Sequence, residues 1–179
     1  AEGIPGTVGG GLLMNAGAFG GEISGAVEYV DGVAADAALC RLPRAELRFS
    51  YRHFALPPGF VVSHVGFRLR PDDPEAVRAR REDARRRRMA RQPVGFPNAG
   101  SVFKNPPGHF AGRLIESVGL KGRRIGNAQI SPEHANFIVN LGGACAADVR
   151  ALMDEAIRAV EQERGPRLEP EIRLVGDWA

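Results

Sequence analysis

The chain has 179 residues, of which 44% are hydrophobic and 25% are charged, and its formal net charge is +3 at pH 7. This length and balance are ordinary for a globular protein of one domain or two small ones, and no apolar run is long enough to span a membrane. The two cysteines, Cys40 and Cys145, lack metal-ligand spacing. We therefore expect no metal site and no membrane span, and we expect reduced thiols in a cytoplasmic protein.

The chain opens with a glycine-rich segment, residues 1–11. Glycine lets the backbone approach a ligand closely, so the amides of this segment can come within hydrogen-bonding distance of a diphosphate. The pattern is neither a Walker loop nor a dinucleotide-binding fingerprint. On these residues alone, a flexible tight turn is an equally good interpretation.

Three strands are predicted in the first part of the chain. Residues 26–33 alternate and end in Asp31-Gly32, which is typical of a strand that enters a hairpin turn. Residues 37–42 are then the returning strand, and residues 60–69 form a further strand after a proline-glycine break.

An arginine-rich helix is predicted next, over about residues 74–90, because Pro71-Asp72-Asp73-Pro74 opens it and Pro93 follows its end. Its arginines, with one just beyond it, are Arg78, Arg80, Arg81, Arg85, Arg86, Arg87, Arg88 and Arg91. Such a run is typical of a solvated linker helix, although its last turns can bind anions. Arginine clusters also neutralise nucleic-acid phosphates, but no aromatic-basic module accompanies this one.

The second part of the chain is predicted to be a small layer of helices and strands. A short helix over residues 110–118, ended by Gly119, faces inward with Phe110, Leu114, Ile115 and Val118. An amphipathic helix over residues 146–163 stops at Gly165-Pro166. The predicted strands are residues 125–130, 135–140 and 168–175, and on the last of these Glu169, Glu171 and Arg173 share one face.

The segment Asn98–Pro106 carries the most chemistry for its length. It reads as a short extended run between two turns, and it holds a hydroxyl, an ammonium and an amide at Ser101, Lys104 and Asn105. Gly100 lets the backbone beside the hydroxyl come close to a ligand. Taken alone, the segment is more typical of an ordinary surface turn.

Several segments, in this order, resemble UDP-N-acetylenolpyruvoylglucosamine reductases, the flavoenzymes of an early step in peptidoglycan precursor synthesis. They are Gly3–Gly10 with Met14–Gly20, Tyr51-Arg52, Asn98–Pro106, Lys121–Asn140 and Leu168–Arg173. The resemblance runs from Ala1 to about Gly176, and it depends on the ordered set of motifs rather than on any one of them.

The resemblance implies an α+β fold in three parts. Residues 1–70 correspond to the C-terminal part of an FAD-binding domain, residues 71–97 to a linker helix, and residues 98–179 to a substrate-binding domain. The family's first flavin-binding loop has no counterpart in this chain, so we expect a missing N-terminal flavin-binding segment in the parent protein. The short connection between Arg70 and Asn98 resembles the second type of the family, which lacks a substrate-covering tyrosine loop.

The implied reaction is the reduction of UDP-N-acetylenolpyruvoylglucosamine to UDP-N-acetylmuramate, with FAD as cofactor, NADPH as co-substrate and a UDP-sugar as the partner. Two alternatives stay open. One is another flavin-dependent oxidoreductase of the same FAD fold. The other, from a different class, is a nucleic-acid-binding module that uses the arginine helix, although no nucleic acid is expected as a partner.

The resemblance also implies roles for individual residues. The catalytic ones are Ser101 as proton donor, Arg52 as the group that polarises the substrate carboxylate, and Glu171 as the catalytic glutamate. Substrate binding falls to Arg91, Lys104, Asn105 and His134. Cofactor binding falls to Gly3, Ile4, Pro5, Gly6, Thr7, Gly9, Gly10, Asn15, Ala16, Gly17 and Arg173. The sequence departs from the family pattern at Phe54, where serine is usual, and at Asn127, where glycine is usual.

Overall fold

The computed structural model describes residues 3–178. These residues form two compact units, with the division between Arg86 and Arg87, and each unit has its own apolar core. Helices and antiparallel strands are mixed in both units. The predicted α+β class is therefore confirmed.

The first unit is built on a three-stranded antiparallel sheet. Its elements are α1 (Val8–Leu13), β1 (Gly17–Ala18), β2 (Gly21–Glu22), a 3-10 turn (Ile23–Gly25), β3 (Val27–Val33), β4 (Leu39–Pro43), β5 (Arg48–Ser50), β6 (His53–Ala55) and β7 (Val61–Phe67). The sheet order is β4-β3-β7, while β1–β2 and β5–β6 are separate antiparallel pairs. The core beside them contains Leu12, Val27, Val30, Leu47 and Phe54.

The hairpin turn predicted at Asp31-Gly32 is wrong by a few residues. Strand β3 continues through both residues, and the turn forms instead over residues 34–38, where Ala37 has a φ of 67° and the Asp36 carboxylate accepts the Ala38 N–H at 3.1 Å. Gly32 serves packing: a Cβ there would lie 2.4 Å from the Phe60 ring. The predicted strands at 37–42 and 60–69 are confirmed as β4 and β7, whereas α1 and the β5–β6 pair were not predicted.

The arginine-rich helix is confirmed as α2 (Pro74–Met89), and the division between the two units falls within it. No residue of α2 is buried. Several of its arginines pair with acidic residues of the same region, as Arg78 does with Glu75 and Arg86 with Asp83. Both observations agree with a solvated helix.

The second unit packs two helices against a small antiparallel sheet. Its elements are α3 (Ala111–Ser117), β8 (Arg124–Ile125), β9 (Ala128–Ile130), β10 (Ile138–Asn140) and α4 (Ala146–Arg164), and the sheet order is β10-β9-β8. Helix α4 lies against β8, β9 and α3. The residues buried between them include Ile115, Ile130, Leu152, Met153 and Val160.

Two predictions for this unit need correction in detail. The predicted strand over residues 125–130 is part of a hairpin, with its turn at Gly126-Asn127 between β8 and β9. Phe110, predicted to face inward, is 59% exposed, because α3 begins only at Ala111 and turns Leu114 and Ile115 toward the core. The amphipathic helix is confirmed as α4.

The predicted last strand, residues 168–175, is wrong. Only an isolated bridge between Phe103 and Pro170 forms there. Pro170 has no N–H to continue a ladder, and the N–H groups of Glu171 and Ile172 both donate to the carbonyl of Val102, so the chain bends. Glu171 and Arg173 therefore do not share one face of a strand.

Candidate active site

The segment that contains Ser101 extends the sheet of the second unit. On one side, the Asn140 N–H donates to the Pro97 carbonyl at 2.9 Å and the Val102 N–H donates to the Asn136 carbonyl at 2.8 Å. On the other side, the Glu171 N–H donates to the Val102 carbonyl, also at 2.8 Å. The segment thus lies between β10 and the chain around Glu171.

A bulge in this pairing carries Ser101. Between the two hydrogen bonds to the β10 side, the segment advances five residues, from Pro97 to Val102, while the opposite chain advances four, from Asn140 to Asn136. Gly100, with a φ of 82°, accommodates the extra residue. Ser101 is half-buried, whereas the two residues that follow it, Val102 and Phe103, are each only 2% exposed. The Ser101 hydroxyl therefore lies where the ladder of backbone hydrogen bonds is interrupted. The buried pair Val102-Phe103, called the anchor below, follows directly.

The structure brings Ser101, Lys104 and Glu171 into one part of the second unit. Lys104 follows the anchor, and its N–H donates to the Glu169 carbonyl at 2.9 Å. Its ammonium pairs with the Glu169 carboxylate. This cation therefore already has a carboxylate partner two residues before Glu171 in the sequence.

Of the remaining predicted binding residues, Asn105 has a structural partner in the second unit. The Asn105 side-chain carbonyl accepts the Ala111 N–H at 3.0 Å, at the start of α3. This bond satisfies one of the amides that a helix N-terminus leaves without an intrahelical partner. Arg173 is exposed, and Arg91 is exposed just beyond the end of α2. Their cofactor- and substrate-binding roles stay predictions.

His134 is held as a neutral imidazole. Its Nδ1 accepts the Asn136 N–H at 3.2 Å, which leaves the ring proton on Nε2, and its ring meets the Phe137 ring edge-on at a centroid distance of 5.0 Å. Burial lowers the pKa of His134 below its ordinary value, and the charge of Lys121 acts in the same direction, against an opposing effect of Glu116. The neutral ring can offer Nε2–H as a hydrogen-bond donor at pH 7.

Arg52, the third predicted catalytic residue, lies in the turn between β5 and β6 of the first unit. It has a positive φ of 55°, which is uncommon for a residue other than glycine. Its guanidinium approaches the Gly17 carbonyl at 3.4 Å and lies 4.9 Å from the centre of the Tyr51 ring. The predicted cofactor residue Gly17 therefore contacts the predicted catalytic arginine within this unit.

Asn15 supports the same turn from the core. Its side chain is 1% exposed, and its amide nitrogen donates to the Ser50 carbonyl at 3.0 Å and to the Glu22 carboxylate at 2.7 Å. Its side-chain oxygen accepts the Ser24 N–H at 3.2 Å. These internal bonds hold the Asn15 side chain in the core of the first unit, and its cofactor-binding role stays a prediction.

The glycine-rich opening is not a continuous loop. From Val8 it forms α1, whose first turn is capped by the Thr7 hydroxyl, which accepts the Gly10 N–H at 3.1 Å. Among residues 3–178, the space beside Gly6 and Gly9 is open, since a Cβ at either position would have no neighbour from elsewhere in the chain within 4 Å. Cofactor binding by this segment and by Ala16 stays a prediction.

The departure from the family pattern at Phe54 has a structural explanation. Phe54 is 3% exposed, and its ring stacks on the Phe49 ring with centroids 4.2 Å apart. The aromatic side chain is accommodated in the core of the first unit. The turn that carries Arg52 thus sits between two strands tied together by this aromatic pair.

Sequence reasoning missed one residue of the site, Asn136. It is 4% exposed and hydrogen-bonds to Phe103 through both atoms of its side-chain amide. The available signal was an asparagine within the apolar run Ala135–Val139, because a buried polar side chain requires partners.

Among residues 3–178, no group of three or more His, Cys, Asp or Glu side chains is arranged to hold a metal ion. Within the same range, no helix combines the length and apolar character needed to cross a bilayer.

Comparison with known proteins matches the second unit to a named domain family. The family model for "UDP-N-acetylenolpyruvoylglucosamine reductase, C-terminal domain" matches residues 92–175, a range that contains Ser101, His134 and Glu171. The chain is also 50% identical over 174 residues to UDP-N-acetylenolpyruvoylglucosamine reductase 2 of Symbiobacterium thermophilum. It is 51% identical over 176 residues to the reductase of Anaeromyxobacter dehalogenans. The alignments cover 97% and 98% of this chain.

Over nearly its whole length the chain is similar to UDP-N-acetylenolpyruvoylglucosamine reductases, and its residues 92–175 match the C-terminal domain of that family. The resemblance stated from the sequence is thereby confirmed. A crystal structure of the reductase from Thermus caldophilus superposes with a TM-score of 0.82 at 45% identity, covering 96% of this chain and 61% of that one. The chain spans a little over half the length of the two curated reductases, 56% of the Symbiobacterium protein and 53% of the Anaeromyxobacter protein.

Proposed function

We propose that the chain is part of a cytoplasmic reductase that uses NADPH and FAD to convert UDP-N-acetylenolpyruvoylglucosamine to UDP-N-acetylmuramate, in peptidoglycan precursor synthesis. The names of relatives at 50% and 51% identity support this proposal. The observation that carries it is the bulge at Ser101, whose flanking backbone is hydrogen-bonded to the segment of Glu171.

The chemistry explains why these residue types are needed. Adding hydride to a double bond beside a carboxylate builds negative charge on that carboxylate, and the adjacent carbon must then receive a proton. In the proposal, the Ser101 hydroxyl donates this proton and Glu171 acts as the second acid. A serine hydroxyl is a weak acid, so the positive charge of Lys104 nearby in the chain would favour the alkoxide that remains.

Arg52 is proposed to bind the substrate carboxylate. A guanidinium stays charged and can grip a carboxylate with two parallel hydrogen bonds. This role rests on the Tyr51-Arg52 motif and on the fixed turn that holds the side chain. Arg91, Lys104, Asn105 and His134 are proposed to bind the UDP-sugar.

The residues of the first unit fit an FAD diphosphate in one respect. Among the residues that the structure describes, none from elsewhere in the chain lies within 4 Å of where a Cβ at Gly6 or Gly9 would be, which leaves room for a ligand beside these two positions. We propose that the glycine-rich opening, the stretch around Ala16 and Arg173 hold FAD. When bound, FAD supplies the hydride, which it takes from NADPH.

The nucleic-acid alternative has weaker support. Four arginines of α2 pair with nearby carboxylates, those of Asp72, Glu75, Glu82 and Asp83, which reduces the positive charge presented to phosphates. The other alternative, a different flavin-dependent oxidoreductase, would share the fold but lack a preference for the enolpyruvyl UDP-sugar.

The proposal is tested by calorimetric titration of the purified chain with UDP-N-acetylenolpyruvoylglucosamine, with UDP-N-acetylglucosamine and with a single-stranded oligonucleotide, each at low and high salt. We expect the enolpyruvyl sugar to bind more tightly than the sugar that lacks this group. Steep, salt-dependent binding of the oligonucleotide without a response to either UDP-sugar would instead favour the nucleic-acid alternative.

A further inference from the structure

We propose that Asn136 is a positioning residue for Ser101 and that it sets the preference of the second unit for the enolpyruvyl group. The inference rests on the proposed function, because it takes Ser101 to act on that group. Asn136 lies directly before Phe137 and the start of β10, on the chain opposite the bulge.

All four polar groups of Asn136 are used near the bulge. Its side-chain oxygen accepts the Phe103 N–H at 3.0 Å, and its side-chain nitrogen donates to the Phe103 carbonyl at 2.8 Å. Its backbone carbonyl accepts the Val102 N–H at 2.8 Å. Its backbone N–H donates to Nδ1 of His134 at 3.2 Å. One residue therefore connects the two residues after Ser101 to a predicted substrate-binding histidine.

The side-chain amide replaces ladder bonds that the bulge removes. Because the extra residue shifts the register after Gly100, the Phe103 peptide has no backbone partner on the β10 side among the described contacts. The Asn136 side chain instead pairs with the backbone N–H and the backbone C=O of Phe103, as a residue of a neighbouring strand would. A buried peptide left without these bonds would be penalised, so the amide fixes where the chain leaves the bulge.

The opposite side of the segment is held by backbone hydrogen bonds together with the Lys104–Glu169 ion pair. The Val102 carbonyl accepts from Glu171, and the Lys104 N–H donates to Glu169. On the β10 side, three hydrogen bonds join residues 102 and 103 to Asn136, and two of them are made by the Asn136 side chain. These two depend on which residue occupies position 136. A substitution at 136 therefore loosens that side selectively and lets Ser101 move relative to His134.

A matched control lies at the end of β10. Asn140 is also an asparagine of the β10 region, but its side-chain oxygen accepts the N–H groups of Gly142 and Ala144, in the turn that precedes α4. Replacing it should cost stability without loosening the Ser101 segment. If Asn136 had only a structural role, the Asn136→Ala and Asn140→Ala variants should show the same changes in Phe103 exchange and in sugar preference.

The experiment compares the whole 179-residue chain with its Asn136→Ala and Asn140→Ala variants, well below the unfolding temperature of each. Two quantities are measured. The first is the hydrogen-exchange rate of the Phe103 amide. The second is the ratio of affinities for UDP-N-acetylenolpyruvoylglucosamine and UDP-N-acetylglucosamine, which isolates the contribution of the enolpyruvyl group.

For Asn136→Ala, we expect the Phe103 amide to exchange about tenfold faster or more and the affinity ratio to fall by about tenfold, on the scale of one lost buried hydrogen bond. Affinity for UDP-N-acetylglucosamine should change little. For Asn140→Ala, both quantities should match the unsubstituted chain. Equal changes in the two variants, or an unchanged Phe103 exchange rate in Asn136→Ala, would overturn the positioning role.

The two proposals fail in different ways. If the unsubstituted chain does not distinguish the two sugars, the proposed function is contradicted, and with it the specificity role of Asn136. If the unsubstituted chain distinguishes them and Asn136→Ala does so equally well, the proposed function survives and the positioning role alone is overturned.

Discussion

At the scale of single residues, buried asparagines support both reactive segments. Asn15 holds the turn before Arg52 through the Ser50 carbonyl, and Asn136 holds the segment after Ser101 through Phe103. Both side chains are less than 5% exposed, at 1% and 4%. A fully bonded buried amide defines a unique local geometry, which is what a positioned catalytic group needs.

His134 makes a prediction about pH at this scale. Because the folded state lowers its pKa, the unfolded chain binds more protons below about pH 6.5, so stability is fully present above this pH and falls as the solution is acidified. In His134→Gln, the part of the pH dependence of stability that comes from this ring should disappear. We expect the urea midpoint of the unsubstituted chain to fall by more than that of the variant between pH 7.5 and 5.5.

The control for this prediction is His109→Gln, at an exposed position. It should retain the pH dependence of the unsubstituted chain. Burial has the largest effect on the pKa of His134, and the charges of Lys121 and Glu116 also act on the ring. An identical pH dependence in His134→Gln and the unsubstituted chain would show that the ring does not titrate differently in the folded state.

At the scale of elements, one carboxylate joins the start of α4 to the β8–β9 hairpin. Asp148 accepts the Cys145 N–H at 3.2 Å, completing a capping box, and it lies against Gly126, where a Cβ would come within 2.4 Å of its carboxylate. A side chain at Gly126, whose φ is 53°, would push this carboxylate aside. The packing of the hairpin on α4 therefore depends on this pair.

Asp148→Asn should lower the midpoint of thermal unfolding by a few degrees at pH 7. The bonds to Cys145 and to the Asn127 backbone lower the pKa of Asp148, so its contribution is present above the ordinary carboxyl pKa of about 3.9 and is lost as the pH falls below it. The difference between variant and unsubstituted chain should therefore shrink toward pH 3. Asp154→Asn, farther along α4, serves as control and should cost less.

At the scale of the whole chain, the first unit exposes large apolar side chains. Leu39, Val61 and Leu69 are 87%, 66% and 77% exposed. The resemblance assigns to this chain only one of the family's two flavin-binding loops, so contacts to FAD would be incomplete while the cost of ordering the loop remains.

We therefore predict that the chain, purified alone, is colourless and does not oxidise NADPH. Absorbance at the flavin band after purification in the presence of excess FAD is the measurement. A yellow protein with one FAD per chain would contradict the prediction. It would show that the glycine-rich opening suffices for binding.

Most of the long helices and strands could be predicted from the sequence, because they depend on hydrophobic periodicity and on local residue chemistry. The sequence predicted α2, α4, β4 and β7 closely. It failed where long-range packing decides. Gly32 marks contact with Phe60 rather than a turn, and Pro170 ends the pairing of a segment whose alternation suggested a strand.

The candidate site was predictable to a similar extent. Motifs indicated Ser101 and Glu171, and the structure places their segments side by side. The burial of Asn136 had a sequence signal, but the bulge and the pairing of Asn136 with Phe103 could not be predicted. Both depend on the register between two segments 33 residues apart in the sequence, which local sequence does not determine. The internal use of the Asn15 side chain was missed for the same reason.

The most direct test of the central claim separates the two half-reactions. The N-terminal part of the Thermus caldophilus reductase is joined to this chain, and stopped-flow absorbance follows the flavin in the chimera and in its Ser101→Ala and Ser117→Ala variants. If Ser101 donates the proton, flavin reduction by NADPH should be nearly unchanged in Ser101→Ala. Reoxidation by the enolpyruvyl substrate should slow by about 10²-fold or more, while Ser117→Ala behaves as the parent. Equal slowing of both half-reactions, or of neither, would contradict the assignment.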